Sequence, residues 1–451
     1  MKKFLSLALA AVMCMSLLAG CGDSNSEASE ASETTDGETT IKVATLESGY
    51  MEKYPDMWKE VCDAFTEETG IKVELQTSKN LEDEIGPSMQ GGEYPDVVLL
   101  GTGRPAGLTE QFVKDNLIAD ISDVLDMTIP GESTTVRDKI NTEIGFLDTS
   151  VTMPYNDGKT YLAPMFYSPC GLFYNAGLLE EKGWKVPTTW DEMWELGDAA
   201  SAEGISLFTY PTTGYFDAFF YGLLYTVGGP EFFTKATHFE EGIWDTPEAK
   251  QVFDIMAKFA SYTDPITPAQ ANQQDFTQNQ QLVLDNKAIF MPNGNWIVGE
   301  MAEAPRADGF KWGMTALPAV EAGGDRYSYA FFEQMWIPSG AANVDAAKQF
   351  LAFVYSDKAA DIFLKGGAVQ PIKGIEEKIT DEDMKLFYNI YTDGAKAALG
   401  AFAPVASVAG LGTAAEYFFD PINGLVSGET TQDEWVSGIK EASDQMRANL
   451  K

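Results

Sequence analysis

Two short stretches carry side chains that need a reason to stand where they do. YAFFEQMWIP, residues 329–338, is an apolar, strand-like run with one carboxylate, Glu333. An unpartnered buried carboxylate is costly, so Glu333 must meet either a hidden cation or the hydroxyls of a ligand. NKAIFMPNGNW, residues 286–296, turns from an apolar run to Asn293, Gly294 and Asn295 and ends on Trp296. The turn either packs Trp296 into a core or holds it as an aromatic plate at the mouth of a cleft. Asn293 and Asn295 either shape the turn or offer amides that both donate and accept hydrogen bonds.

The remaining chemistry is narrowed by what is scarce. The chain has one histidine, His238, in the polar stretch KATHFEEG. A histidine metal cluster is therefore excluded, and a Ser–His–Asp or Cys–His mechanism is disfavoured. There is no glycine-rich phosphate loop and no Cys-x-x-Cys pair, so neither cofactor nor metal is expected. With 68 acidic against 31 basic residues, the formal net charge is −37. That disfavours nucleic acid and anionic membrane patches as partners. Carboxylates are plentiful, so glycoside hydrolysis, which needs two of them about 5–10 Å apart, stays open.

These residues need elements to position them. At 451 residues the chain exceeds the roughly 250–300 at which a single core stops growing, so two lobes are expected. Residues 40–48 read as a strand, 51–69 as a helix closed by Gly70, 71–77 as a strand, 81–90 as a helix and 97–100 as a fully apolar strand covered on both faces. This β-α-β-α-β order implies a parallel sheet. Ligands of such sheets bind beyond the carboxyl ends of the strands. Glu47 and Arg104 stand at those ends, with surface solvation as the rival reading.

Further on, 160–174 is strand-like despite Pro164 and Pro169. Thr189 and Glu192 form a capping box opening a helix. A second β/α stretch follows: strand 205–211, an aromatic helix stopped by Gly228 and Gly229, and helix 252–260. Tyr215 and Asp217, after YPTTG, are weaker candidates for the site. Strands are expected at 312–317 and 329–338, then helix 344–355 and a mostly helical C-terminal third.

The N-terminus reads as a secretory leader. Lys2 and Lys3 precede an apolar run, 4–18, too short for a stable membrane span. LAGC at 18–21 has the form of a bacterial lipobox, with Cys21 as the lipidated residue and 1–20 as the removed signal. Residues 21–40 are polar and acidic and read as a disordered tether. Cys62 and Cys170 read as buried thiols or, less favoured, a single pair.

Several motifs in order carry a family resemblance: GKTYLAP (158–164), LFYN (172–175), PTTWDE (187–192), NKAIFMPNGNW, ALP (316–318), GGAVQP (366–371) and GLVSGETTQDEW (424–435). Together they resemble the extracellular solute-binding proteins of carbohydrate ABC importers, the maltose-binding-protein group. Asn286 and Phe290 replace the usual glycine and methionine. FYSPCGLFYNAGLLEEKGW and YTVGGPEFF are most similar to receptors for N-acetylglucosamine and diacetylchitobiose.

The resemblance implies an α/β, two-lobed periplasmic-binding-protein-like fold of type II, with discontinuous lobes joined by a hinge. The implied lobes are 41–165 plus 291–332 and 166–290 plus 333–451. Chain crossings fall near 164–167, 290–291 and 331–335. Phe166 and Tyr167 would then face the cleft or pack. Trp296 and Glu333 would contact sugar. The implied protein is a monomeric receptor without enzymatic activity, docking on ABC permease subunits and touching the membrane only through its lipid. The rivals are a secreted glycoside hydrolase and a surface adhesion or sensing module.

Overall fold

The computed structural model describes residues 39–450 apart from 103, 105–106, 143, 145–151, 156, 272–273, 275, 404 and 406–407. Cys21 and nearly all of the expected tether lie outside the described residues.

Three strands open the first lobe: β1 (Thr40–Leu46), β2 (Lys72–Ser78) and β3 (Val97–Leu99). β1 pairs in parallel with both of the others. Alternation along these strands feeds two hydrophobic layers. Ile41, Val43, Val97 and Leu99 face one core with Trp58, Val61 and Phe65. Ala44, Val98 and Leu100 face another with Ile85, Met89 and Phe112. Both faces of β3 are thus covered, which is why its sequence is apolar throughout.

The expected helix over 51–69 is in fact two. Gly49–Lys53 ends before Pro55, and Met57–Thr69 begins after it. Proline lacks the N–H and disfavours helix in the residue before it. Gly70 closes the second helix in the left-handed region at φ 75°, where a residue without Cβ is unstrained.

The remaining strands are β4 (Ala163–Asn175), β5 (Ser206–Phe208), β6 (Ala288–Gly294), β7 (Trp312–Thr315), β8 (Tyr327–Trp336) and β9 (Lys396–Ala398). One mixed sheet runs β2-β1-β3-β8-β4-β6-β5, with β7 on β4 and β9 on β8. β4 and β8 are the long antiparallel members and tie the lobes together. Phe166 and Tyr167 of β4 pack with Trp58 in the core here called the first, whereas Cys170 and Leu172 pack with Phe208 and Phe259 in a second core, that of the second lobe. Tyr329 of β8 lies in the second core, whereas Ala330 and Phe332 lie in the first. The two strands cross between lobes side by side, at 168–169 and at 329–330.

In the second lobe, the capping box forms as the sequence requires: the Thr189 hydroxyl accepts from the Glu192 amide, and Glu192 returns the bond. The aromatic helix Phe216–Thr237 is kinked at Gly229 (φ 72°), with Pro230 starting its second half. Its Phe216, Phe219 and Phe220 fill the core with Phe208 and Phe259.

Two of the expected lobe assignments are exchanged. Trp312, Met314, Leu317 and Tyr327, expected in the first lobe, pack with second-lobe residues. Phe350, Phe353, Phe363 and Ile375, expected in the second, pack against Phe65 and Trp58 in the first. No crossing occurs at 290–291, because β6 stays against β4 and β5 in the second lobe. A further crossing is instead made by the helix Glu382–Tyr388. Phe387 packs on Phe173 and Met291, and the next residue, Tyr388, packs in the first core.

Candidate functional site

A gap in the sheet creates the site. β8 pairs with β3 only at Met335 and Trp336 and with β9 only at 327–329. β4 holds the opposite edge of β8, and among the described residues no strand lies along this one at 330–333. A cleft of about 270 Å³ opens there, lined by Leu46, Glu47, Ser48, Lys79, Leu99, Leu100, Gly101, Thr102, Arg104, Phe331, Phe332 and Glu333. The first-lobe wall is made of strand ends and the residues just beyond them, where open α/β sheets hold ligands.

Glu333 is half-buried, and no hydrogen bond to its carboxylate is found among the described residues. Burial pushes this carboxyl up to about 7, with the Arg104 charge pulling it down. Arg104 is itself oriented by Glu82, whose Oε2 accepts from Arg104 Nε at 3.2 Å. Glu47 lies 3.9 Å from Lys79 Nζ, and Lys79 reaches on to Glu52 at 3.1 Å.

Phe331 stands two residues before Glu333. Residues i and i+2 share one face of a strand, and Phe331 is 38% exposed, unusual for so large an apolar side chain. Trp296 meets it edge-on, with ring centroids 6.0 Å apart. Tyr215 meets Trp296 at 5.6 Å. Trp296 and Tyr215 are not among the residues lining this cleft; they adjoin it through Phe331. Phe331 was not singled out from sequence, although its period-two spacing from Glu333 was the available signal.

The other expected residues fall into distinct places. Tyr215 donates its hydroxyl to Glu300 Oε1 at 2.8 Å, and Gln280 Nε2 holds the other carboxylate oxygen at 2.6 Å. Asp217 accepts from the Ala218 amide at 2.6 Å, and burial pushes its carboxyl up to about 6. Asn293 is buried; its Oδ1 takes the Gly294 amide at 2.8 Å, while its Nδ2 has no partner among the described residues. Asn295 donates to the Tyr388 hydroxyl at 3.2 Å.

Phe166 and Tyr167 do not line the cleft; each is 1% exposed. Phe166 packs against Trp58 and Phe363, and Tyr167 against Phe332 and Tyr388. Side chains packed over the sheet cover both faces of β4 here: Trp58 and Phe363 lie on Phe166, and Tyr388 lies on Tyr167. Cys62 and Cys170 are separate buried thiols. Among the described residues, no group of three His, Cys, Asp or Glu is placed to hold a metal.

Two lobes joined by paired crossing strands, with polar and aromatic side chains converging where they meet, define a hinged binding protein. The model of the family "Bacterial extracellular solute-binding protein" matches residues 60–383, and the chain belongs to that family. Its members are receptors, not catalysts. The chain is 25% identical to the diacetylchitobiose binding protein NgcE of Streptomyces coelicolor over 343 residues, 72% of this chain and 68% of that one. It is 23% identical to the diacetylchitobiose binding protein DasA of the same organism, covering 83% of each. Among solved structures it resembles the bacterial solute receptor AcbH, described as exclusive for β-D-galactopyranose. That match has a TM-score of 0.70 at 20% identity and covers 92% of this chain and 98% of that one.

Proposed function

We propose that the protein captures a carbohydrate in this cleft and delivers it to an ABC importer at the membrane, held there by a lipid on Cys21. Diacetylchitobiose and N-acetylglucosamine are the favoured ligands. The observation that carries the reading is the exposed Phe331 beside Glu333 on one strand face, continued by Trp296. A sugar ring offers apolar C–H faces and a rim of hydroxyls. It is bound by flat aromatic surface together with polar groups of fixed direction, and a carboxylate accepts hydroxyl protons readily. The two Streptomyces relatives support the choice of an N-acetylated disaccharide.

The test is thermal unfolding of the protein against N-acetylglucosamine, diacetylchitobiose, maltose, cellobiose, xylobiose, peptides and polyamines. A ligand present at 100 times its dissociation constant stabilises the folded state by about 2.7 kcal/mol. Diacetylchitobiose is expected to raise the melting temperature, and Trp296→Ala to abolish the rise. A response to peptides or polyamines alone would refute the carbohydrate reading while leaving the receptor fold intact. The anchor is checked separately: Cys21→Ser should move the protein from the membrane fraction to the medium.

A further inference from the structure

Three hydrogen bonds meet where β4 leaves the first lobe. The Tyr388 hydroxyl donates to the Tyr167 carbonyl at 2.6 Å, the last β4 residue in the first core. The Asn295 side-chain amide donates to the same hydroxyl at 3.2 Å. The Asn295 backbone amide donates to the Pro169 carbonyl at 3.2 Å, inside the crossing itself. Asn295 and Tyr388 are 7% and 1% exposed, so water does not compete for these bonds. Trp296 is the next residue in the chain.

Tyr388 also sits on a helix whose neighbouring residues pack in different lobes. Phe387 belongs to the core around Phe173 and Trp312, and Tyr388 to that around Tyr167. A change in lobe angle must therefore pull on this helix and on the crossing segment together. Both are fastened to Asn295.

We propose that Tyr388 is a positioning residue of the binding cleft: its hydroxyl links the interlobe crossing to Asn295 and so sets the place of the Trp296 ring by the lobe angle. The proposal rests on Trp296 being part of the sugar site. The hydroxyl serves both bonds at once, accepting from the amide and donating to the carbonyl. Burial raises the Tyr388 pKa well above the ordinary tyrosine value, so the proton needed for donation is held at any working pH. Tyr355 is a natural control. Its buried hydroxyl donates to another β4 carbonyl, Pro164, at 2.7 Å, with no bond to the turn at Asn295.

The experiment is ¹⁹F NMR of the protein labelled with 5-fluorotryptophan, the Trp296 resonance being assigned by its loss in Trp296→Phe. Without ligand, Tyr388→Phe should shift or broaden the Trp296 resonance and leave that of Trp435 unmoved; Tyr355→Phe should leave both unmoved. Asn295→Ala should reproduce the Tyr388→Phe change by cutting the same link from its other end, and it stands in if Tyr388→Phe does not fold. An unmoved Trp296 resonance in Tyr388→Phe or its substitute overturns the proposal, as does an equal change in Tyr355→Phe. Diacetylchitobiose is then titrated. Its affinity should fall roughly fivefold in Tyr388→Phe, the loss expected for one hydrogen bond, and stay near wild type in Tyr355→Phe. If no sugar perturbs Trp296 while Tyr388→Phe does, the coupling is upheld and the sugar reading is overturned.

Discussion

Glu333 ties the site to pH. Its carboxyl is raised by burial from the usual carboxylate range to about 7. Below pH 4.5 both folded and unfolded chains hold the proton, and nothing is lost. As pH climbs from there through 7, the unfolded chain gives up its proton first and the folded chain loses stability relative to it. Asp217 adds a loss of the same sign that ends near 6. Glu333→Gln should therefore flatten the fall in urea midpoint between pH 5 and pH 8, read by chemical unfolding at several pH values. Sugar binding should run the other way in the wild type. Hydroxyl donors favour the ionised carboxylate, so affinity should rise through pH 7, and calorimetric titration at pH 6 and 8 would show it.

At the scale of elements, the turn after β6 works because Gly294 has no side chain. A Cβ there would stand 2.1 Å from Trp296 Cζ3, well inside contact. Gly294→Ala should displace the indole and weaken sugar binding by roughly tenfold or more, the loss typical of a buried aromatic anchor. Circular dichroism should stay unchanged, because β6 is otherwise intact. A second joint holds the first lobe together. Asp96, 2% exposed, accepts from the amides of Lys42 and Asn343, each at 2.8 Å. It thereby fastens β1 to the start of the helix Val344–Phe353. Asp96→Ala removes the acceptor of both amides and should cost about 1–3 kcal/mol of stability, measured by the shift in denaturant midpoint. The Thr189 capping box is smaller, and Thr189→Ala should cost about 1 kcal/mol.

Over the whole molecule, the paired crossings of β4 and β8 join two separately packed lobes, and the lobes are expected to turn about them. Each core is closed on itself, so closure needs only small changes in backbone angle at the connecting residues. Small-angle scattering should show a smaller radius of gyration when the sugar found in the unfolding screen is added. Trp296→Ala should keep the ligand-free value and lose the contraction. Tyr50 stands beside the crossing at 168–169: its hydroxyl lies 3.3 Å from Ser168 Oγ. Burial and the nearby Glu333 charge raise Tyr50, keeping that hydroxyl protonated.

Most of the local structure could be read from the chain itself. The β-branched stretch at 40–48 marked β1, apolar runs marked β3 and β8, and Thr189 with Glu192 marked a helix start, because these signals act within a few residues of one another. The family motifs added the two-lobed fold. What a side-chain pattern cannot convey is which surface covers it. Phe350 and Phe363 are apolar at helical spacing whichever lobe they join, and only tertiary packing placed them against Phe65 and Trp58. The same limit hid Phe331 and favoured Phe166. Both are phenylalanines on the paired crossing strands, but Trp58 and Phe363 cover Phe166, while Phe331 is left exposed beside the cleft. Composition determined what must be buried or paired; the packing of helices against the sheet decided which of those side chains was left facing the cleft.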